Sequence, residues 1–136
     1  MQHWLLKSEP GTWSWQQQCD APGGTTHWNG VHNNLALKHM RSMKKGDLGF
    51  FYHSNDGKCI VGVVEIAGEF EPEPGSKSGW VHVKAVHPVE PPVTLAQIRA
   101  NPALKDMVLV NNSRLSVQPV TAGEWKLVEK MAKQAR

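Results

Sequence analysis

Residues 47–66 of this 136-residue chain read DLGFFYHSNDGKCIVGVVEI. Two runs rich in apolar, β-branched and aromatic residues, 48–53 and 59–66, flank the turn-forming sequence Ser54-Asn55-Asp56-Gly57, and this pattern predicts a β-hairpin. The second run is apolar at almost every position, as in a strand that is buried on both faces near the middle of a sheet. Gly62 inside that run predicts a bulge or the close approach of another group.

The residues at the start of the chain predict a strand and a short helix. Residues 3–7 have the composition of a short buried strand, which the turn-forming residues 8–11 end. Ser14 followed three positions later by Gln17 is a capping box, which predicts that a helix begins there.

A loop and a second helix are predicted between this helix and the hairpin. Residues 21–32 are glycine-rich and polar, so we expect a loop that carries Trp28. Asn33 is a good N-cap, and the apolar residues that follow it have helical spacing up to Gly46, where a helix is expected to end.

After the hairpin, the pattern predicts three more strands and two more helices. Strands are predicted over 81–85, 107–110 and 114–118, the last two joined through Asn111-Asn112-Ser113. Capping boxes at Thr94 with Gln97 and at Thr121 with Glu124 predict the helices. The chain is long enough for one domain over residues 1–136. We expect an α+β fold: a small, mostly antiparallel β-barrel of five to six strands flanked by short helices.

Charge is mild overall and uneven along the chain. The formal charge of +3 comes from 15 Lys+Arg against 12 Asp+Glu, less than is typical of proteins that bind DNA mainly through phosphates. A cationic run at 38–45 is a candidate for phosphate contacts. A second run, from Lys126 to Arg136, is interpreted as a solvated helix face.

Targeting and cysteine signals predict a reduced, cytoplasmic protein. No apolar run approaches the ~18 residues that span a bilayer, and the first residues do not resemble a signal peptide. Cys19 and Cys59 are too few and too far apart for a disulfide framework or a zinc knuckle, so two reduced, partly buried thiols are expected.

Sequence signatures of catalysis are missing in the forms that can be tested. The chain has no G-x-S-x-G, H-E-x-x-H, Walker or G-x-G-x-x-G motif. His27 with His32, or His53 with Cys59, are pairs that a fold can bring together at zinc, but ordinary histidine roles explain them better. Lys7-Ser8-Glu9 has a nucleophile, a base and an acid in a row, yet neighbours on an extended chain point to opposite faces. We therefore expect no enzyme, no metal and no cofactor.

Five ordered blocks of sequence resemble the EVE domain and cover nearly the whole chain. They are KSEP at 7–10, WNGVHN at 28–33, KGDLGFFYHS at 45–54 with IVGVVE at 60–65, KDMVLV at 105–110 and SRLSVQPV at 113–120. The EVE family is similar in fold to the PUA and YTH domains, which are small β-barrels flanked by helices. The resemblance implies a non-enzymatic domain that binds a modified base, either a substituted cytosine in DNA or a modified base in RNA.

If the chain is such a reader, Trp28 is the expected stacking platform, because it lies in a polar, glycine-bounded segment and an aromatic face returns about 1–3 kcal/mol per stacked base. The alternative is a core tryptophan, since indole rings bury well. Either Tyr52 or His53 faces the pocket, and we predict His53. The full predicted set around the base is Trp28, Asn29, Gly30, Val31, Asn33, Ser8, Lys7, His53 and Ser54, with Lys38, Arg41 and Lys44 on the phosphates.

Two departures from the family pattern leave alternatives open. His32 stands where the family usually has a cation, and imidazole carries charge only part of the time near neutral pH. The stretch 71–79 is shorter than in the family, and Trp80 is the candidate for a second wall of the pocket. The alternative functions are binding of a free nucleoside or small aromatic metabolite, and an accessory enzyme of RNA modification.

Overall fold

The structure is a computed structural model that describes residues 1–55, 57–112 and 114–134. Short 3₁₀ turns lie at Pro22–Gly24 and Pro102–Leu104. Asp56 of the predicted hairpin turn, Ser113 of the predicted strand connection and Arg136 of the cationic run lie outside the described residues. The strands and α-helices are β1 (His3–Ser8), α1 (Trp15–Asp20), β2 (Thr25–Trp28), α2 (Asn34–Ser42), β3 (Leu48–His53), β4 (Cys59–Pro72), β5 (Gly79–Thr94), α3 (Leu95–Ala100), α4 (Val108–Asn111), β6 (Val117–Val120) and α5 (Ala122–Gln134).

All of these strands belong to one sheet, in the order β2-β5-β4-β3-β1-β6. β1 and β3 are parallel, and the other neighbouring pairs are antiparallel. β4 lies inside the sheet, between β3 and β5, and its Val63 and Val64 are at most 2% exposed. The predicted hairpin and its central second strand are therefore confirmed. Both β4 and β5 extend well beyond the predicted 59–66 and 81–85.

The predicted closure of the sheet into a barrel is wrong. The strand order ends at β2 and β6, and no ladder joins these two four-residue strands in the described part of the chain. Each face of the sheet carries its own buried apolar cluster, whereas a small barrel encloses a single interior. The predicted α+β class, with a mostly antiparallel sheet of five to six strands and short helices, is confirmed.

Alternation along the central strands builds the two clusters, because successive side chains of a strand point to opposite faces. Leu6 and Phe51 belong to the α2-side core, the cluster that also contains Ala36, Leu37 and Met40 of α2. Their neighbours Leu5 and Phe50 belong to the α5-side core, together with Trp125, Val128 and Ala132 of α5. The Phe50 and Trp125 rings stack with centroids 3.7 Å apart.

Gly62 of β4 lies against the ring of Trp15. A Cβ atom on Gly62 would be 2.5 Å from three ring carbons of Trp15, and the pairing of β4 with β5 shifts register between Ile60 and Gly62. Both features that the glycine predicted, a bulge and a close approach, are therefore present.

Replacing Gly62 with valine is expected to lower the free energy of unfolding by about 1–3 kcal/mol, because the added carbons overpack the Trp15 contact. Urea denaturation of the variant measures this change. Gly123→Ala is the matched control: Gly123 lies in α5, a Cβ atom added there would have no heavy atom within 4 Å, and alanine should be neutral or stabilising. A Gly62→Val protein as stable as the wild type would contradict the close approach.

The predicted helix starts are confirmed by their hydrogen bonds. Capping boxes form at Ser14 with Gln17 and at Thr94 with Gln97, and Thr121 and Glu124 exchange the equivalent pair of bonds. Asn33 caps α2, since its Oδ1 accepts a hydrogen bond from the Ala36 N–H at 3.0 Å.

Three predicted elements are corrected. The predicted strand 107–110 is the helix α4, in which the Asn111 N–H donates to the Met107 carbonyl at 3.2 Å; a short apolar run fits either element. The predicted strand 114–118 begins later, at Val117. The predicted loop 21–32 contains β2, which pairs with β5 in a register that local sequence does not encode.

Asp47 is a buried carboxylate that links the first residues of the chain to the segment after α2 by hydrogen bonds. It is 4% exposed and accepts hydrogen bonds from the Trp4 Nε1–H at 3.0 Å, the Lys44 N–H at 3.0 Å and the Gln2 N–H at 3.1 Å. Burial raises the pKa of Asp47, but these donors outweigh burial, so its pKa lies below the usual value.

The structure also bears on the expectations about membrane-spanning segments and about the two cysteines. Within the described residues, no helix is long and apolar enough to cross a membrane. Both cysteines are free thiols; Cys59 is partly buried as expected, whereas Cys19 is exposed, since Gln18 is the buried residue of the short helix α1.

Candidate functional site

A cavity of about 610 Å³ opens where three segments meet: the turn after β1, the end of β2 with the loop that follows it, and the residue before β6. Its volume is within the ~300–1,000 Å³ range of small-ligand sites. Two indoles contribute to its walls. The lining residues are Lys7, Ser8, Glu9, Thr12, Trp13, Thr26, His27, Trp28, Asn29, Gly30, Val31, His32 and Ser116.

The turn after β1 is held closed by its own hydrogen bonds. The Ser8 hydroxyl donates to the carbonyl of Trp13, and the N–H groups of Thr12 and Trp13 donate to the Glu9 carbonyl at 2.9 and 2.8 Å. These hydrogen bonds reverse the direction of the chain. Glu9 and Trp13 therefore line the same cavity, although they are four positions apart in sequence.

The Trp13 ring is held in place by a buried amide. Its Nε1–H donates to Gln18 Oε1 at 3.0 Å, and Gln18 is fully buried. The Gln18 Nε2 in turn donates to the carbonyl of Gly24, just before β2, at 2.9 Å. One side chain therefore ties the turn after β1 to the start of the strand that carries Trp28.

Trp28 belongs to the core and also lines the cavity. It is the last residue of β2, is paired with Val81 of β5, and is 7% exposed. Its ring meets Phe51 edge to face, with centroids 5.5 Å apart. The two alternatives considered for Trp28, pocket wall and core tryptophan, therefore describe the same side chain.

The loop after Trp28 is anchored at Val31. The Val31 carbonyl accepts a hydrogen bond from the hydroxyl of Ser78, a 4% exposed residue, at 2.7 Å. Gly30 has a φ of 75°, a left-handed conformation that glycine adopts without strain. The anchored loop keeps Asn29 at the cavity wall.

The structure brings six of the nine residues predicted around a base to this cavity: Lys7, Ser8, Trp28, Asn29, Gly30 and Val31. Two of them already have partners. The Ser8 hydroxyl hydrogen is donated to Trp13, and the Lys7 ammonium lies 5.7 Å from the centre of the Tyr52 ring. Burial lowers the pKa of Lys7.

The other three, Asn33, His53 and Ser54, do not line the cavity. The Asn33 side chain caps α2. His53 Nε2 accepts a hydrogen bond from the Trp15 N–H at 3.0 Å, and burial lowers the pKa of His53, which favours the neutral ring that can accept. The Ser54 N–H donates to the Ser8 carbonyl at 2.9 Å. Each of these residues therefore makes a hydrogen bond within the fold instead of lining the cavity.

The predicted phosphate contacts lie outside the cavity. Lys38, Arg41 and Lys44 are exposed on α2 and just after it, and none lines the cavity. Arg41 donates to the Lys77 carbonyl at 2.9 Å and lies 5.2 Å from the Phe70 ring centre. The basic side chains at the cavity itself are those of Lys7, His27 and His32.

Several lining residues were missed by sequence reasoning: Trp13, Glu9, Thr12, Thr26, His27 and Ser116. The signal for Trp13 was the turn-forming Glu9-Pro10-Gly11, which predicts that the chain reverses and brings the next aromatic residue back. Trp80, the candidate second wall, does not line the cavity. Its ring stacks on His27 at 5.7 Å.

The side chains considered for catalysis have contacts of their own. The Ser8 hydroxyl donates to a backbone carbonyl, and the Lys7 ammonium lies over the Tyr52 ring. Within residues 1–55, 57–112 and 114–134, no three His, Cys, Asp or Glu side chains are placed to hold a metal ion.

Comparison with known proteins identifies relatives along the whole chain. Residues 2–131 match the model of the EVE domain family. Human thymocyte nuclear protein 1 is 33% identical over an alignment that covers 93% of this chain and 72% of the human protein. The chicken protein of the same name is 32% identical over 93% of this chain, which spans 66% of the chicken protein's length.

Solved structures share the fold. An NMR structure of a Rhodopseudomonas palustris protein is 50% identical, with a TM-score of 0.93 over 100% of this chain and 96% of that chain. Human THYN1, solved in complex with 5-methylcytosine-containing DNA, is 33% identical, with a TM-score of 0.89 over 98% of both chains. A Zygosaccharomyces rouxii YTH domain, at 18% identity and a TM-score of 0.60 over 96% of this chain and 86% of that chain, is similar in fold alone. The PUA-like fold is thus confirmed, and the chain belongs to the EVE domain family.

Proposed function

We propose that this protein is a non-enzymatic reader that holds a modified base of a nucleic acid in the cavity between Trp13 and Trp28. The observation that carries the proposal is the cavity itself: about 610 Å³, with two indoles and several polar groups on its walls. The chain also shares its fold with human THYN1, whose structure contains 5-methylcytosine DNA. By this relation, a substituted cytosine in DNA is the first candidate ligand, and a modified RNA base is the second.

Stacking can offset the cost of exposing a base. A base reaches such a cavity only after it leaves its stack, which costs a few kcal/mol in a duplex and less in a single strand. An aromatic platform returns about 1–3 kcal/mol per base. Trp28 is preorganised for this role by its contact with Phe51, and Trp13 by its bond to Gln18. Neither ring needs to be ordered when the base binds.

The few basic side chains at the cavity are suited to a ligand that brings few phosphates close to it. Lys7, His27 and His32 line it, and Lys38, Arg41 and Lys44 are exposed on α2 and just after it. Cations of this kind position a strand on the protein without reading its sequence. We infer that the cavity selects the base and that the surrounding cations add affinity that depends on salt.

The absence of catalysis is part of the proposal. The Ser8 hydroxyl is committed to the Trp13 carbonyl, and the Lys7 ammonium to the face of Tyr52. A nucleophile needs an adjacent base within hydrogen-bond reach. These contacts support binding as the function of the site.

Fluorescence anisotropy with short single-stranded oligonucleotides tests the proposal. We expect an oligonucleotide with 5-methylcytosine to bind at least about fourfold more tightly than the same strand with cytosine, because burial of one methyl group contributes about 0.8 kcal/mol. If two or three cations pair with phosphates, affinity should fall about 7- to 20-fold between 50 and 200 mM salt.

Free 5-methyldeoxycytidine is the control ligand for this titration. Equal affinity for the nucleoside and the oligonucleotide, with no dependence on salt, would replace the nucleic-acid reader with a nucleoside binder. Equal affinity for the cytosine and 5-methylcytosine strands would remove that modification as the ligand.

A further inference from the structure

Glu9 is the one acidic side chain among the described residues that line the cavity. A carboxylate there repels the phosphates of any nucleic acid that approaches, while the mild positive charge of the chain attracts them. In a site that binds a polyanion, an acid is therefore unfavourable unless a hydrogen-bond donor of the ligand pairs with it. Bases offer such donors in their exocyclic amino groups.

Two contacts fix the position of Glu9. Its backbone carbonyl accepts the N–H groups of Thr12 and Trp13, and its Oε1 accepts a hydrogen bond from Asn55 Nδ2 in the turn between β3 and β4. Asn55 has a left-handed φ of 63°, which asparagine tolerates better than most residues. The turn after β1 thus fixes the backbone of Glu9, and Asn55 holds its carboxylate.

The bond from Asn55 leaves the carboxylate with further capacity, since two carboxylate oxygens provide about four acceptor positions. Trp13 belongs to the same turn as Glu9 and lines the same cavity. One short turn therefore supplies both an aromatic face for the plane of a base and a charged acceptor for its edge.

We propose that Glu9 selects the base: its carboxylate accepts a hydrogen bond from the exocyclic amino group of a cytosine-type base and rejects bases that carry a keto oxygen at that position. The inference rests on the proposed function, because it assigns specificity to the same cavity. Thymine is the informative competitor. It has the same 5-methyl group as 5-methylcytosine, but it presents O4, an acceptor, in place of the N4 amino donor.

The test compares single-stranded oligonucleotides that differ only by 5-methylcytosine or thymine at one position. Wild-type protein should prefer 5-methylcytosine by roughly 10- to 150-fold, the range for one hydrogen bond to a charged group. Glu9→Gln keeps the size of the side chain and an oxygen that can accept from Asn55, but its amide can also donate to thymine O4. The preference should fall to within about threefold.

Glu73→Gln is the matched control, because it removes the same charge from an exposed glutamate that does not line the cavity. It should keep the wild-type preference, and thermal melts of both variants verify folding. If Glu9→Gln also keeps the preference for 5-methylcytosine over thymine, the role of Glu9 is overturned while the reader function stands. If wild-type protein binds neither strand, 5-methylcytosine in single-stranded DNA is overturned as the ligand, and the role of Glu9 with it.

Discussion

Replacing Trp28 with alanine is expected to lower the free energy of unfolding by about 3–5 kcal/mol and to weaken binding of a modified base by roughly 5- to 150-fold. The first effect follows from deletion of a large core side chain, since Trp28 is 7% exposed and packs edge-on against Phe51. The second follows from the loss of an aromatic platform worth about 1–3 kcal/mol per base. Denaturant titration and fluorescence anisotropy measure the two quantities separately.

Trp125→Ala separates the binding effect from general destabilisation. Trp125 is 4% exposed and stacks on Phe50 in the α5-side core, across the sheet from the cavity. Its loss should cost a similar amount of stability while the folded protein keeps wild-type affinity for the oligonucleotide. Trp28→Phe, which retains a ring, should be folded and intermediate in affinity. Undiminished binding by folded Trp28→Ala protein would remove Trp28 from the site.

Replacing Asp47 with alanine is expected to destabilise the protein by about 2–4 kcal/mol. The change leaves the buried Trp4 Nε1–H without its acceptor and removes the acceptor of the Lys44 and Gln2 N–H groups. A buried donor without a partner costs about 1–3 kcal/mol, and the remaining bonds to a charged acceptor add to this loss. Urea denaturation at neutral pH measures the change, and an Asp47→Ala protein of wild-type stability would contradict the assigned network.

The pH dependence of stability provides a second test of Asp47. Because its pKa is lower in the folded than in the unfolded protein, the carboxylate stabilises the fold above the unfolded value of about 4. This contribution is lost as the pH falls through the folded pKa. The difference in stability between wild type and Asp47→Asn should therefore be largest near neutral pH and shrink below about pH 4. A difference that stays constant across this range would exclude a titrating Asp47.

Features encoded by neighbouring residues were predicted well. The hairpin of β3 and β4 and the helix caps depend on residues a few positions apart. Turn propensity, strand alternation and helix capping act over that range, so the local sequence pattern predicts these elements directly. Trp28 at the cavity was predicted from its polar, glycine-bounded surroundings combined with the resemblance to the EVE family.

Features that depend on distant partners were not predictable from the sequence pattern. β2 exists because Thr25–Trp28 pair with β5 more than fifty positions later. Strand alternation restricts the pocket position to Tyr52 or His53, and we predicted His53 because its ring can stack and donate; its Nε2 instead accepts a hydrogen bond from the Trp15 N–H. The pairing of β2 and the orientation of the His53 ring are set by tertiary contacts, which override local preference.

A crystal structure of the protein with a single-stranded oligonucleotide containing 5-methylcytosine tests the central claim most directly. We predict that the modified base occupies the cavity, with its plane against Trp28 or Trp13 and the phosphates on either side near Lys7, His27 or His32. An oligonucleotide bound along α2, or elsewhere on the surface, with its modified base outside the cavity would contradict the proposed reader function.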